Sequence, residues 1–311
     1  MGTGEIAGLL AAFMWTISSM YWGRIHLPAM TLNFAKNLVG VVLITVHLLA
    51  ITSFAGDPVF SASWESWGWL TLSGLIGIVI GDAFYFRSLQ ILGPRIALMV
   101  ATTSPIFSVG ISWLVIGESL HFAAITGIIM TVGGVMVVVR ERQKSNSEVP
   151  GLMPGTVTAG IATGIGSAFC QALGGVFSKR GLNDITTGEE ICGSVEGTFI
   201  RIFIAFVVTA IIVLGRGRIR ETTQKIFAWQ QLRLIIPATA IGTWLGIWIS
   251  QIAYQNSEAS IAQTLLSTCP LFAIPIVWYS GKYQFTLLSV LGTAIAVVGV
   301  FFTVFDWSTV N

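Results

Sequence analysis

Residues 77–117 read GIVIGDAFYFRSLQILGPRIALMVATTSPIFSVGISWLVIG, and residues 242–282 read GTWLGIWISQIAYQNSEASIAQTLLSTCPLFAIPIVWYSGK. Laid over one another without a gap, at a shift of 165, they match at several distinctive residues. Gly77 falls on Gly242, Gly81 on Gly246, Gln90 on Gln255 and Ile96-Ala97 on Ile261-Ala262. Thr103, Pro105, Phe107, Ile111 and Trp113 fall on Thr268, Pro270, Phe272, Ile276 and Trp278. Continued to residues 139 and 304, the shift adds Gly127, Val132, Gly134, Val135 and Val139 on Gly292, Val297, Gly299, Val300 and Val304, for 15 identities in 63 positions. Roughly five would arise by chance in so apolar a sequence, so the chain carries an internal repeat. The same shift puts Phe34 on Phe199 and Lys36 on Arg201. The first and sixth apolar runs leave this register, which implies an insertion in the acidic loop at residues 181–196.

The solvent for these repeats is lipid. Of 311 residues, 54% are hydrophobic and 10% charged, against about 25% charged in a soluble domain. A span needs about 20 apolar residues. The apolar runs predict ten: Glu5–Trp22, Asn33–Ser53, Trp67–Leu89, Ile96–Ile116, Phe122–Val139, Gly155–Lys179, Val195–Leu214, Arg233–Tyr254, Ser260–Tyr279 and Thr286–Phe305. A polar linker from Arg140 to Glu148, followed by Pro150 and Pro154, divides them into units at residues 4–140 and 155–306. The predicted fold is therefore an all-α integral membrane protein of two five-helix repeats. An odd number of spans per repeat makes the second enter from the opposite side, giving inverted topology. The 34 glycines lie largely inside apolar runs, where small residues let helix backbones approach closely.

Other classes find little support. A net charge of +2 does not suggest nucleic acid. Cys170, Cys192 and Cys269 are scattered, as are His26, His47 and His121, so neither a disulfide framework nor a metal site is expected. No P-loop is present, no cluster of His, Asp or Glu suggests an enzyme, and no cofactor is implied. The first apolar run lacks a basic leader and is read as a retained span.

Certain residues resemble a known family: Gly81-Asp82, Ser88-Leu89, Gly93, Ala97, Ser104-Pro105, Gly117-Glu118, Gly127 and Gly134, then Ala262, Cys269-Pro270, Gly292 and Gly299. Their order and doubling resemble the EamA-type transporters of the drug/metabolite transporter superfamily. The resemblance implies a ten-helix bundle, a cavity between the halves, and uptake or more often export of metabolites, amino acids or drugs. The Gly-Glu turn at Gly117-Glu118 becomes Gly281-Lys282 in the second half, so that carboxylate is not doubled.

Asp82 is the first site candidate, because a carboxylate at membrane depth must face a cavity or a partner. It is either a proton or cation site or a packing pair with Lys36 or Arg87; Tyr85 lies one turn further on. Lys36 and Arg201 either line the cavity or snorkel to the interface, and the interfacial reading is preferred. Trp244, Trp248, Gln251 and Gln255 share one helical face, as do Gln263 and Ser267, and such faces suit a half-apolar solute or a helix interface. Trp15, Ser18 and Gln171 are weaker lining candidates. Pro105 and Pro270 are candidate hinges. The paired glycines at 127, 134, 292 and 299 are read as close packing, and Trp64, Trp67, Trp69 and Trp307 as interfacial anchors.

Arginine and lysine concentrate in the odd loops, which places those loops in the cytoplasm and both termini outside. The reading is a secondary transporter in the plasma (inner) membrane, moving a small metabolite, amino acid or drug-like solute by alternating access, as an exporter. Its partners are the solute, the bilayer and a coupling proton or cation, and it works as a monomer or homodimer. The alternatives are a channel and a non-transporting scaffold.

Overall fold

The computed structural model describes residues 2–25, 27–56, 58–145, 156–215, 219–273 and 287–304. Pro150, Pro154, Lys282 and Trp307 lie outside them. The described chain is helical: α1 Thr3–Trp22, α2 Ala29–Ala55, α3 Trp64–Ser73, α4 Asp82–Ala101, α5 Ser104–Ile116, α6 Phe122–Ser145, α7 Val157–Leu182 and α8 Ser194–Gly215. There follow α9 Ile219–Ile226, α10 Trp229–Ala238, α11 Gly246–Asn256, α12 Ala259–Leu266, α13 opening at residues 269–273, and α14 Leu287–Val304. Among the described residues, five helical stretches are by length and composition long and apolar enough to cross a membrane: Ala29–Phe54, Trp64–Gly93, Val157–Leu182, Ser194–Val213 and Trp229–Asn256. Shorter apolar helices accompany them at Ser104–Ile116, Phe122–Val137, Ala259–Ala273 and Val290–Thr303. Leu114, Ile129, Ile211 and Val297 are among many large apolar side chains on the outside, as a lipid-facing surface requires.

The repeat is written into the backbone. Between α3 and α4, Gly74–Gly81 is π-helical, and between α10 and α11, Thr239–Leu245 is π-helical. The two segments begin 165 residues apart. Gln90 Nε2 donates to the Leu27 carbonyl at 2.9 Å, and Gln255 Nε2 donates to the Cys192 carbonyl at 3.2 Å. Donor and acceptor are each displaced by the same 165 residues. The register lost between the first and sixth runs is explained by the connections: residues 183–193 link α7 to α8, whereas the shorter 23–28 link α1 to α2.

The repeats exchange their first helices. α1 packs on α10, α11, α12 and the second π-segment, while α7 packs on α3, α4, α5 and the first. Equivalent helices also meet as pairs, α2 with α8 and α6 with α14. In the first pair Phe34 stacks on Phe206, 6.2 Å between centroids. In the second the backbones touch: a Cβ at Gly127 would lie 2.7 Å from the Gly299 carbonyl oxygen, and one at Gly134 would lie 2.5 Å from that of Gly292. These glycines act as the sequence predicts, giving close approach where apolar burial supplies no drive in lipid.

Several boundaries differ from the sequence reading. α6 continues through the charged run to Ser145, because Arg, Glu, Gln and Lys are good helix formers. The polar stretch before the eighth span contains α9, a strongly amphipathic helix. The fourth and ninth spans are each split. Thr102-Thr103 and Ser267-Thr268 form turns, and Pro105 and Pro270 follow at the start of the next helix. There proline is favoured, since its missing N–H would lack an intrahelical partner anyway. Gly93, with φ 73°, breaks α4 before that turn, in the left-handed region that glycine tolerates.

Gly134→Val is expected to destabilise the protein by about 1–3 kcal/mol through overpacking, read as a lowered melting temperature in detergent. Its neighbour Gly133 has nothing within 4 Å of a built Cβ, so Gly133→Val is expected to leave the melting temperature within error.

Candidate functional site

A cavity of about 200 Å³ lies between the two repeats. Its wall draws on the second half of α1, the starts of α2 and α4, the middle of α7, Arg201 of α8, α11 and its π-segment, and the turns before α5 and α13. The π-segments bring the chain there. Their wider turns leave carbonyls out of the ordinary α-helical ladder, and polar side chains from neighbouring helices bond those carbonyls. Asn33 Nδ2 donates to Ile78 O and Val79 O at 2.9 and 3.1 Å. Ser167 Oγ donates to Gly81 O at 2.9 Å, and Gln171 Nε2 to Gly77 O at 3.3 Å. In the other half Trp15 Nε1 donates to Gly242 O at 2.9 Å, and Ser18 Oγ to Ala238 O at 2.8 Å. Gly77 and Gly242 are repeat partners, and the carbonyl of each is bonded by the first helix of the opposite repeat.

Asp82 emerges at the end of the first π-segment and is the acceptor around which this wall is arranged. Lys36 Nζ lies 2.5 Å from Oδ2, and Gln171 Nε2 donates to Oδ1 at 3.0 Å. Lys36 is 4% exposed and the Asp82 side chain 19%, so the carboxylate keeps one side open to the cavity. The preferred interfacial reading of Lys36 and Arg201 is thereby corrected. Both are buried and both line the cavity, because each enters from the first third of its helix and points inward. Of the two pairings open to Asp82, the structure contains the one with Lys36. Tyr85, Trp15, Ser18, Gln171, Gln263, Ser267 and Pro270 also line the cavity.

Five candidates stand outside the lining, four of them on one helix face. Trp244 Nε1 donates to His47 Nδ1 at 3.2 Å, and Trp248 Nε1 to Ser194 Oγ at 3.2 Å. Gln251 is fully buried between Arg201 and Ser178, and Gln255 bonds the Cys192 carbonyl. The face does exist, but it packs on α2, α7 and α8. The lining face of this span is instead Gly242, Thr243, Ile247, Ser250 and Tyr254. Pro105, the fifth, is buried behind Ser104, which lines the cavity and donates to Ala168 O at 2.9 Å.

Beyond the cavity, towards the start of α1, the bundle is tied shut. Tyr254 Oη donates to Gln263 Oε1. About a turn further out, Glu118 accepts from the Ala259 N–H at 2.9 Å, capping α12, and pairs with Lys179 at 2.9 Å. Lys179 also donates to the Ser257 carbonyl at 2.5 Å, and the Ser257 hydroxyl donates to Glu5 at 3.0 Å. Burial raises the pKa of Glu258 beside them, with Glu118 adding to the rise and Lys179 opposing it. The sequence reading left Lys179 and Ser257 out of any site. Their signal was there in Glu118, which the second repeat replaces with a residue of other chemistry, as befits a contact made on one side only.

The EamA-like transporter family matches residues 2–140 and 158–305, two copies that take in nearly the whole sequence. The chain belongs to that family. As an EamA-like protein it is a multi-pass membrane protein of the drug/metabolite transporter superfamily, whose members move small solutes. No curated protein is matched by the sequence. A protein of known crystal structure superposes with a TM-score of 0.72 at 16% identity, over 97% of this chain and 96% of its own, a likeness of fold.

Removing one partner of a buried pair leaves the other uncompensated. Lys36→Met and Asp82→Asn are each expected to lower stability by up to about 3 kcal/mol, moderated by the open side of the carboxylate. The double variant is expected to lose less than the sum, in a double-mutant cycle of melting temperatures.

Proposed function

We propose that this EamA-like protein is a secondary transporter with ten spans in two inverted five-helix repeats, at residues 4–140 and 155–306. It exports a small solute across the plasma membrane by alternating access. The observation that carries the reading is a cavity between the repeats with ionisable groups in its wall and a bonded layer closing one end. Inverted topology is supported by the pairing of α6 with α14. Gly127 meets Gly299 and Gly134 meets Gly292, so equivalent helices run antiparallel, as a two-fold axis in the membrane plane requires. It is supported again by the two glutamine bonds. The Gln255 bond lies at the end of α1 where Glu5 meets Ser257, and the Gln90 bond lies at Leu27, beyond the other end. A helix of this length separates them by about 30 Å.

The direction rests on charge. The layer of Glu118, Lys179 and Ser257 joins the even loops to the amino-terminal end of α1, and the basic residues sit mainly in the odd loops. Basic loops favour the cytoplasm, so the closed end is the outer one and the cavity is held ready to load from inside. Asp82 is the coupling site for a proton or cation. Protonation releases Lys36 from its pair, and a pair with one face towards the cavity can respond to what enters it.

The test is release from proteoliposomes loaded with a cellular metabolite extract, followed by mass spectrometry against empty liposomes. Specific depletion of one solute class is expected, with a rate that depends on pH in the wild type and loses that dependence in Asp82→Asn. Unchanged pH dependence in the variant would remove Asp82 from coupling, and no depletion would leave the scaffold reading.

A further inference from the structure

The two cations of the repeat are not equally provided for. Lys36 and Arg201 occupy the same register, and both are more than nine-tenths buried. Lys36 has a carboxylate within reach. The residue equivalent to Asp82 in the second repeat is Ile247, and among the described residues no carboxylate lies within 4 Å of Arg201. What the second half supplies is neutral: Arg201 Nη1 donates to Gln251 Oε1 at 2.6 Å, and Ser178 Oγ donates to the same oxygen at 3.0 Å. Among the described residues Arg201 Nε has no hydrogen-bond partner. A buried guanidinium anchored on one edge and unsatisfied on another is a costly arrangement for a static interior.

The guanidinium reaches the cavity wall, with Nη2 3.4 Å from a Cβ built at Gly77, an ordinary contact distance. Among the described residues the charged groups of the wall are Lys36, Asp82 and Arg201, one more positive charge than negative. The cavity wall also carries aromatic and apolar groups, Trp15, Phe86, Ile247 and Tyr254 among them. Guanidinium binds carboxylates through paired N–H donors in its own plane. A single uncompensated charge matches a monoanion better than a phosphate dianion. Asp82 already has Lys36 as its counterion, so an ammonium solute would bring a further positive charge to a wall with net positive charge.

The geometry points to Arg201 as the anion subsite of this cavity, and to a small monocarboxylate with an apolar body as its solute. The assignment rests on the transporter reading given above and adds the chemical class. Gln251 is a positioning residue that holds the guanidinium from behind.

The test uses the full-length protein in detergent and four probes with a shared body: 3-phenylpropionate, L-phenylalanine, 3-phenylpropionamide and 3-phenylpropylamine. Binding is read by calorimetry at millimolar concentration. The carboxylate is expected to bind at least about tenfold more tightly than the amide and the amine, the difference that a charge-assisted hydrogen bond brings. Arg201→Gln is expected to erase that preference and Arg201→Lys to keep part of it, with melting temperatures reporting that each variant is folded. The lysine variant and the wild-type probe series decide the matter if the glutamine variant does not fold. Equal or tighter binding of the amide or amine would overturn the assignment. So would tighter binding of L-phenylalanine than of 3-phenylpropionate, no binding of the carboxylate, or unchanged preference in Arg201→Gln. Flux in proteoliposomes separates the two claims. Arg201-dependent binding without flux would remove the transporter and keep the subsite, and flux of the amine or amide instead of the carboxylate would do the reverse.

Discussion

A charge placed among helices in lipid has to be answered by another charge, by dipoles or by water. This protein buries a lysine and an arginine at matching points of its two repeats and answers them differently. Lys36 meets Asp82 and, through it, Gln171. Arg201 meets the amide oxygen of Gln251. Much of the local architecture serves these contacts. The first π-segment ends where Asp82 must turn inward, and α7 lies close enough for Gln171 to reach across from the other repeat. The difference between the halves is therefore chemical more than architectural.

The shared architecture is held by contacts that lipid does not supply for nothing. Glycine backbones touch between α6 and α14, and hydroxyl, amide and indole groups bond the carbonyls left by the π-segments. Because α1 and α7 each pack in the opposite repeat, neither half can move without carrying a helix of the other. Such an exchange favours two discrete arrangements over a continuum of loosened ones. The split fourth and ninth spans and the two π-segments are the places where helices are already interrupted, and all four stand at the cavity.

The repeat was legible because identical residues recur at a fixed shift, and the glycine pairs and Asp82 followed from the cost of space and charge in lipid. The eighth span was misjudged for a physical reason. Tryptophan and glutamine at helical spacing describe a face that makes hydrogen bonds, and a helix uses such a face equally well for a neighbour as for a cavity. Gly242 and Gly246, the repeat partners of Gly77 and Gly81, mark the inner side more reliably, because Trp15 and Ser18 approach there. Lys36 and Arg201 sit near helix starts, where snorkelling is the usual outcome. Nothing local revealed that Asp82 and Gln251, 46 and 50 residues away, would draw them inward. The π-segments leave no signature in composition, and the layer at Lys179 and Ser257 depends on an approach of four separate elements.

If solute crosses through the cavity between the repeats, Cys269 offers a direct handle on its passage. This thiol lies half-buried in the cavity wall, whereas Cys170 and Cys192 are buried. In a Cys170→Ala, Cys192→Ala background, release of the depleted metabolite class from proteoliposomes can be measured before and after modification of Cys269 with a small methanethiosulfonate. Passage through the cavity requires that modification stop release and that the solute itself slow modification. Undiminished release with Cys269 fully modified would contradict it.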